Sequence, residues 1–472
     1  MSSTTAQPAR PRKLTMAGTL AFAATQIPLG AVALAVSVQM PRYFANTLGW
    51  SLALIGSAFA IVRFIDIPID PLLGLAIDRT RTRFGPYRLW TLIGAPLLAV
   101  GLYMLIHAPP GAGQIYLIGW LLIMYGGYSI LLLSSLAWAA CLATNYAQRS
   151  RIFGVFTALG VLGAVLVLLI PVVAAKRGYT DGQGVEAMVW SIIVAVPICA
   201  LLMAWRTPHP INRDHAHAKF ALSHYWALLT RGNVLRILGA DLCLTLGPTW
   251  MAAIYLFFFK DSRGFDTTQA NLLLLIYIAA GFLGAPATAW LAGVIGKHRA
   301  LMVNTTVFSL MLLSLVLLPK GDFIAAVPTL FITGAMYGGF TVMTRSLTGD
   351  IADEIRLESG REWMGLMYAM TNATTKVGGA ASIFLTFSVL AEVGYDARAG
   401  AVNTAYAIRG LEMAFLIGPV IFVMLGGACF LGYKLSAQRH REIRDILEAR
   451  DAAHDEDLAR PAAEVLAAEA RA

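Results

Sequence analysis

Residues 63–90 read RFIDIPIDPLLGLAIDRTRTRFGPYRLW. The stretch as far as Ile77 is apolar enough to cross a bilayer as a helix, yet it carries Arg63, Asp66 and Asp70. An Asp at the centre of a membrane helix costs about 2.5–3.5 kcal/mol on insertion scales. Asp66 and Asp70 stand at i and i+4 and share one helix face. Both ionised, they repel, so the pair holds a proton or recruits a cation, and oxygen-rich carboxylate sites suit hard cations. Pro68 and Pro71 flank Asp70, and each removes a backbone hydrogen bond. Irregular backbone at membrane depth is tolerated where it lines a cavity. A second reading makes the two carboxylates a structural knot with Arg63 and a Lys from another helix. The cost of such pairs, where apolar packing would serve, favours the cation site.

The rest of the chain is of the same kind. Of 472 residues, 58% are hydrophobic and 13% charged, against about 25% charged in soluble domains. Apolar runs of membrane-spanning length recur at 16–44, 51–77, 89–108, 114–142, 152–174, 187–206, 234–259, 267–293, 300–318, 323–347, 364–393 and 406–434. The fold class is an all-α membrane protein with twelve transmembrane helices in two six-helix halves, the architecture of major-facilitator transporters. The expected divisions are a tail 1–15, a first half 16–206, a linker 207–233, a second half 234–435 and a tail 436–472. The net charge of +9 collects in alternate loops (Arg79, Arg81, Arg83 and Arg88; Arg149 and Arg151; Lys297 to Arg299). The positive-inside rule then puts both termini in the cytoplasm, and no basic surface is left over for nucleic acid. The N-terminus reads as a cytoplasmic tail, not a cleaved signal.

Other chemistry is sparse. The four Cys form no CxxC pair, so neither a metal site nor a disulfide framework is expected. His209, His215, His217 and His224 read as solvated linker residues. Ile443, Ile446 and Leu447 form a narrow apolar stripe in the polar tail. Lys376 is the one Lys deep in an apolar span, and it can approach the Asp pair when the halves close, competing with a cation. Asp241 lies about two turns into the seventh span, as a proton or substrate group or as a residue reaching the surface. The spans hold no nucleophile–base pair, so no enzyme is expected.

The run 63–90, with DIADEIRLESGREWMGLMYAMTNATTKVGGA at 350–380, resembles the glycoside–pentoside–hexuronide:cation symporters, the melibiose-permease-like group of the major facilitator superfamily. That group is built around an Arg-x-x-Asp-x-x-x-Asp-Pro-x-x-Gly run. The resemblance implies that Asp66 and Asp70 coordinate the cation with a helix-four hydroxyl, here Ser129 after Tyr128, and that Arg63 and Lys376 are their charge partners. It also implies a gating loop of Gly74, Asp78, Arg79 and Arg83. The family's sugar-binding Asp of helix one is missing, and Gln26 is the first deep polar group there. The helix-four acid falls at Leu132 and the helix-five Arg near Phe156. Candidate replacements lining the substrate cavity are Gln26, Gln39, Arg42, Tyr128, Trp138, Asp241, Thr249, Trp250 and Asn372, with the two Trp able to stack on a sugar or to pack in the core.

These residues imply a monomeric, cation-coupled symporter of the cell membrane that moves a sugar or glycoside-like solute by alternating access. Its partners are a small-molecule substrate, a monovalent cation and the lipid bilayer. No cofactor is expected beyond the coupling ion, H⁺ or Na⁺; Ile69, where sodium users of the family place an amide, leans toward H⁺. An amphipathic lipid-like substrate, proton-driven export and a non-transporting sensor are the alternatives.

Overall fold

The computed structural model describes residues 15–80, 82, 85–109, 111–142, 146–208, 222–361, 363–398, 400–433, 435 and 438–450. The side chains of 78, 140, 146, 147, 149, 150 and 222–225 lie outside that description, as do His209, His215, His217 and the His224 side chain. Among the described residues twelve helices are long and apolar enough to cross a membrane: α1 Met16–Asn46, α2 Leu52–Ile77, α3 Pro86–Ile106, α4 Gln114–Ala139, α5 Arg151–Lys176, α6 Asp181–Arg206, α7 Gly232–Ser262, α8 Thr267–Ile295, α9 Lys297–Leu317, α10 Phe323–Ser359, α11 Met364–Glu392 and α12 Ala405–Ala428. Twelve crossings return the chain to the side it started from, the terminal face.

Within the first half α3 packs on α4 and α6, and α1 on α5; within the second, α8 packs on α10 and α7 on α11 and α12. The halves meet where α2 packs on α11, α5 on α8 and α1 on α7. Lipid tails give helices no hydrophobic reason to associate, so close packing of small residues does the work. A Cβ on Gly163 of α5 would sit 1.9 Å from the Ile27 carbonyl oxygen of α1, so the two backbones touch.

The first helix of each half is irregular near the opposite face. Residues Ala35–Gln39 of α1 and Phe258–Ser262 of α7 are π-helical, a wider turn that re-aims the side chains beyond it. Beyond those turns the halves are tied together. Arg42 bonds both carboxylate oxygens of Asp261 at 3.2 and 3.0 Å and the Leu256 carbonyl at 3.1 Å. Gln39 donates to Asn271 at 2.8 Å, Lys260 pairs with Asp181, and Thr267 donates to Asp181 at 2.6 Å. The Tyr395 hydroxyl donates to Asp261. Burial and the nearby Asp261 push that hydroxyl's pKa far up, so it remains a donor. The opposite face is closed.

On the terminal face α10 departs from the expected 323–347. It runs on to Ser359 and stops at Gly360, whose φ of 67° ends the helix. Hydropathy falls where the charges begin, but nothing before Gly360 breaks the backbone pattern. The added turns hold Asp350, bonded by Lys297 at 2.6 and 2.8 Å, and Asp353, 3.1 Å from His440. His440 belongs to a C-terminal helical segment that buries Ile443 and Leu447, while Ile446 faces outward at 41% exposure.

Candidate functional site

Asp66 and Asp70 lie on α2 where it packs against α11. The helix carries Pro68 and Pro71 in its interior without stopping. Asp66 is buried and Asp70 half-buried. Lys376 of α11 donates to Asp66 Oδ2 at 2.9 Å and to Asp70 Oδ2. Arg63 Nη1 stands 3.6 Å from Asp66 Oδ2, with its guanidinium 3.9 Å over the Tyr125 ring. Ser129 of α4 donates to Asp66 Oδ1 at 3.4 Å. Asp70 Oδ1 is buried with no hydrogen-bond partner among the described residues. Tyr128 lies within electrostatic reach of Arg63 and both carboxylates.

The structure thus brings Arg63, Asp66, Asp70, Ser129 and Lys376 together, two acids facing two bases. The acids belong to one half and Lys376 to the other, so the ion pair crosses the interface that alternating access must remodel. Lys376 stands between the two carboxylates. The orphaned Asp70 oxygen shows that the ammonium does not exhaust the pair's capacity; a buried acceptor left unpaired costs about 1–3 kcal/mol.

A second polar cavity, of about 160 Å³, lies within the second half between α7, α10 and α11. Asp241, Thr249 and Asn372 line it. Asp241 Oδ2 accepts from Thr374 at 2.7 Å and Thr375 at 2.8 Å. These two threonines precede Lys376 directly.

The other expected cavity residues fall elsewhere. Gln39 and Arg42 are part of the closure on the opposite face, because the π turn directs them at Asn271 and Asp261. Trp138 is 1% exposed, edge-on to Phe22 and stacked on Tyr87, so it is core and offers no open ring face. Trp250 donates to the Ala414 carbonyl at 2.9 Å and packs on Phe422. Gln26 is buried with its amide nitrogen unpartnered among the described residues, at the start of the second segment of α1. Gly74 has open space around it and Arg79 is exposed, while the Asp78 side chain and Arg83 lie outside the described residues. The sequence reading missed Asp181, Asp261, Lys260, Asn271 and Arg345. Asp181, Lys260 and Asp261 sit at helix ends, where a charge reads as a solvated loop residue.

Helices in two packed halves, closed on one face around a charged interface, define a major facilitator transporter. The chain belongs to the MFS/sugar transport protein family, whose model matches residues 21–437. It is 23% identical over 430 residues to the isoprimeverose transporter of Lactiplantibacillus pentosus, covering 87% of each chain. It is 24% identical to the lactose permease of Lactobacillus helveticus over 84% of this chain and 65% of the permease. Against the human sodium-dependent lysophosphatidylcholine symporter 1 the identity is 21%, over 81% of this chain and 77% of that one. Among solved structures, the nucleoside transporter NupG matches with a TM-score of 0.65 at 14% identity, over 88% of this chain and 98% of that one. A bacterial homolog of the human lysosomal transporter Spinster matches with a TM-score of 0.64 at 12% identity, over 89% and 98%. The chain is a multi-pass membrane transporter and not an enzyme.

Proposed function

We propose that this protein couples the downhill entry of a monovalent cation, H⁺ or Na⁺, to uptake of a sugar or glycoside-like solute across the cell membrane. The observation that carries the reading is the inter-half cluster: Lys376 bridges Asp66 and Asp70 while one buried Asp70 oxygen stays unpaired. A cation arriving on the two carboxylates displaces the ammonium. Lys376 is then free to leave, and the α2–α11 contact loses an ion pair that holds the halves in their present arrangement. Each ligand that favours the rearranged state helps the other bind, and the effect on affinity is reciprocal. A membrane potential adds about 2.3 kcal/mol per charge per 100 mV.

The Arg-rich loops of the terminal face support a cytoplasmic position for both termini, which makes the closed opposite face the extracellular one. The relatives named for isoprimeverose and lactose support a sugar. The lysophosphatidylcholine relative is weighed against a cavity lined mainly by Asp, Asn, Arg and Thr, with Leu244, Tyr337 and Phe340 beside them, a poor match to a long acyl chain. The test is uptake by the purified protein in proteoliposomes, with isoprimeverose, lactose and lysophosphatidylcholine as solutes. A sugar accumulates above its bath concentration under an inward H⁺ or Na⁺ gradient and stops when that gradient is collapsed. Accumulation that ignores both gradients, or that is confined to the lipid, refutes the proposal.

A further inference from the structure

We infer that the solute is gripped in the second half, by Asp241 and the threonine-lined cavity between α7, α10 and α11, through hydroxyl groups that it donates. The inference rests on the sugar reading above and places that sugar.

Asp241 is 9% exposed, and among the described residues no Lys, Arg or His comes within ion-pair distance. Both of its hydrogen bonds fall on one oxygen, Oδ2. A carboxylate kept for packing alone has reason to satisfy both oxygens, since an unpaired buried charge is costly. Oδ1 has no partner among the described residues, and Asp241 lines the cavity.

Four of the threonines around it, Thr344, Thr348, Thr371 and Thr375, repeat the same bias. A hydroxyl has one hydrogen to give and two lone pairs to receive with. Thr344 spends its hydrogen on the Phe340 carbonyl at 3.0 Å, Thr348 on Thr344 at 2.8 Å, and Thr371 on Tyr368 at 3.0 Å. Thr375 gives its own to Asp241 or to the Thr371 carbonyl. What these residues turn to the cavity is therefore acceptor capacity. A carboxylate and a set of hydroxyl oxygens select a solute rich in O–H donors. Arg345 on the same wall supplies donors for the sugar's own oxygens.

The placement also connects the two sites. Thr374 and Thr375 hold Asp241, and the next residue, Lys376, holds Asp66 and Asp70. One turn of α11 is thus bonded on one side to the solute carboxylate and on the other to the cation carboxylates. Releasing Lys376 moves the turn that positions the threonines.

The experiment is ligand binding to the purified full-length protein in lipid nanodiscs, followed by thermal shift and calorimetry. The probes are isoprimeverose, lactose and xylose, with monodeoxy analogues of whichever binds. The variants are Asp241→Asn, Thr375→Val and Asp70→Asn. A sugar binds the parent, Asp241→Asn weakens it about tenfold or more, and Asp70→Asn still binds it but no longer responds to the cation. Removing the contacted hydroxyl from the sugar costs the parent about tenfold and Asp241→Asn less than about twofold, a coupling that a merely structural Asp241 would not produce. If Asp241→Asn does not fold, the same coupling is read with Thr375→Val. A sugar that binds the parent and Asp241→Asn equally, or shows no such coupling, overturns this inference and leaves the sugar reading intact. No sugar binding to the parent overturns the sugar reading and this inference with it.

Discussion

Neutralising Asp261 is expected to open the closed face. Asp261→Asn keeps the shape of the side chain and removes its charge. In the parent, Arg42 bonds both carboxylate oxygens, at 3.2 and 3.0 Å, and Tyr395 donates to one of them. Charge-assisted hydrogen bonds contribute about 1.5–3 kcal/mol each, so the bidentate pair has a gross value of about 3–6 kcal/mol. The Asp261 side chain is 31% exposed and that of Arg42 12%, so solvent screens a good part of it. The Asn oxygen can also still accept one bond. About 2 kcal/mol remains, which is a factor of about 30 in the ratio of open to closed. An open state held at about one molecule in a hundred would rise to about one in four. The assay is electron–electron distance measurement between spin labels at Tyr179→Cys and Val402→Cys, which flank the closure from the two halves and are 55% and 97% exposed. The variant should gain a longer-distance population that is minor in the parent. Identical distributions would mean that the Arg42–Asp261 pair does not hold the face shut.

Three further outcomes are expected. Asp66→Asn and Asp70→Asn each abolish uphill uptake while solute exchange persists; either variant concentrating solute like the parent would break the coupling argument. Lys376→Ala leaves two carboxylates facing Arg63 alone, a loss of about 3–5 kcal/mol for a buried pair, so its thermal stability should depend on the coupling cation more steeply than the parent's; equal dependence contradicts a shared site. Gly163→Ala places a methyl 1.9 Å from the Ile27 carbonyl and should cost about 1–3 kcal/mol by overpacking. Gly74→Ala meets nothing within 4 Å and should be neutral or slightly stabilising on melting.

The sequence carried the fold because each span repeats one signal, an apolar run long enough for a bilayer, and the bilayer admits few alternatives to a helix. It also carried the acids and Lys376, since charge at membrane depth stands out against apolar neighbours. The meeting of Lys376 with both carboxylates needs the packing of α2 on α11, which no local pattern contains. The errors have the same origin. Arg42 and Gln39 are polar residues in a span, like any cavity group, but a π turn directs them to the gate. Trp138 and Trp250 have the composition of a sugar platform and the packing of core residues. The α10 extension was hidden because hydropathy drops before the helix ends.

The most direct measurement is infrared difference spectroscopy of the protein in lipid, with Na⁺ exchanged at constant pH and, separately, pH lowered without Na⁺. One of the two exchanges should give a carboxylate signal that is lost in both Asp66→Asn and Asp70→Asn. A parent with no carboxylate response to either ion, or a response that survives in both variants, would contradict a cation site at these two residues.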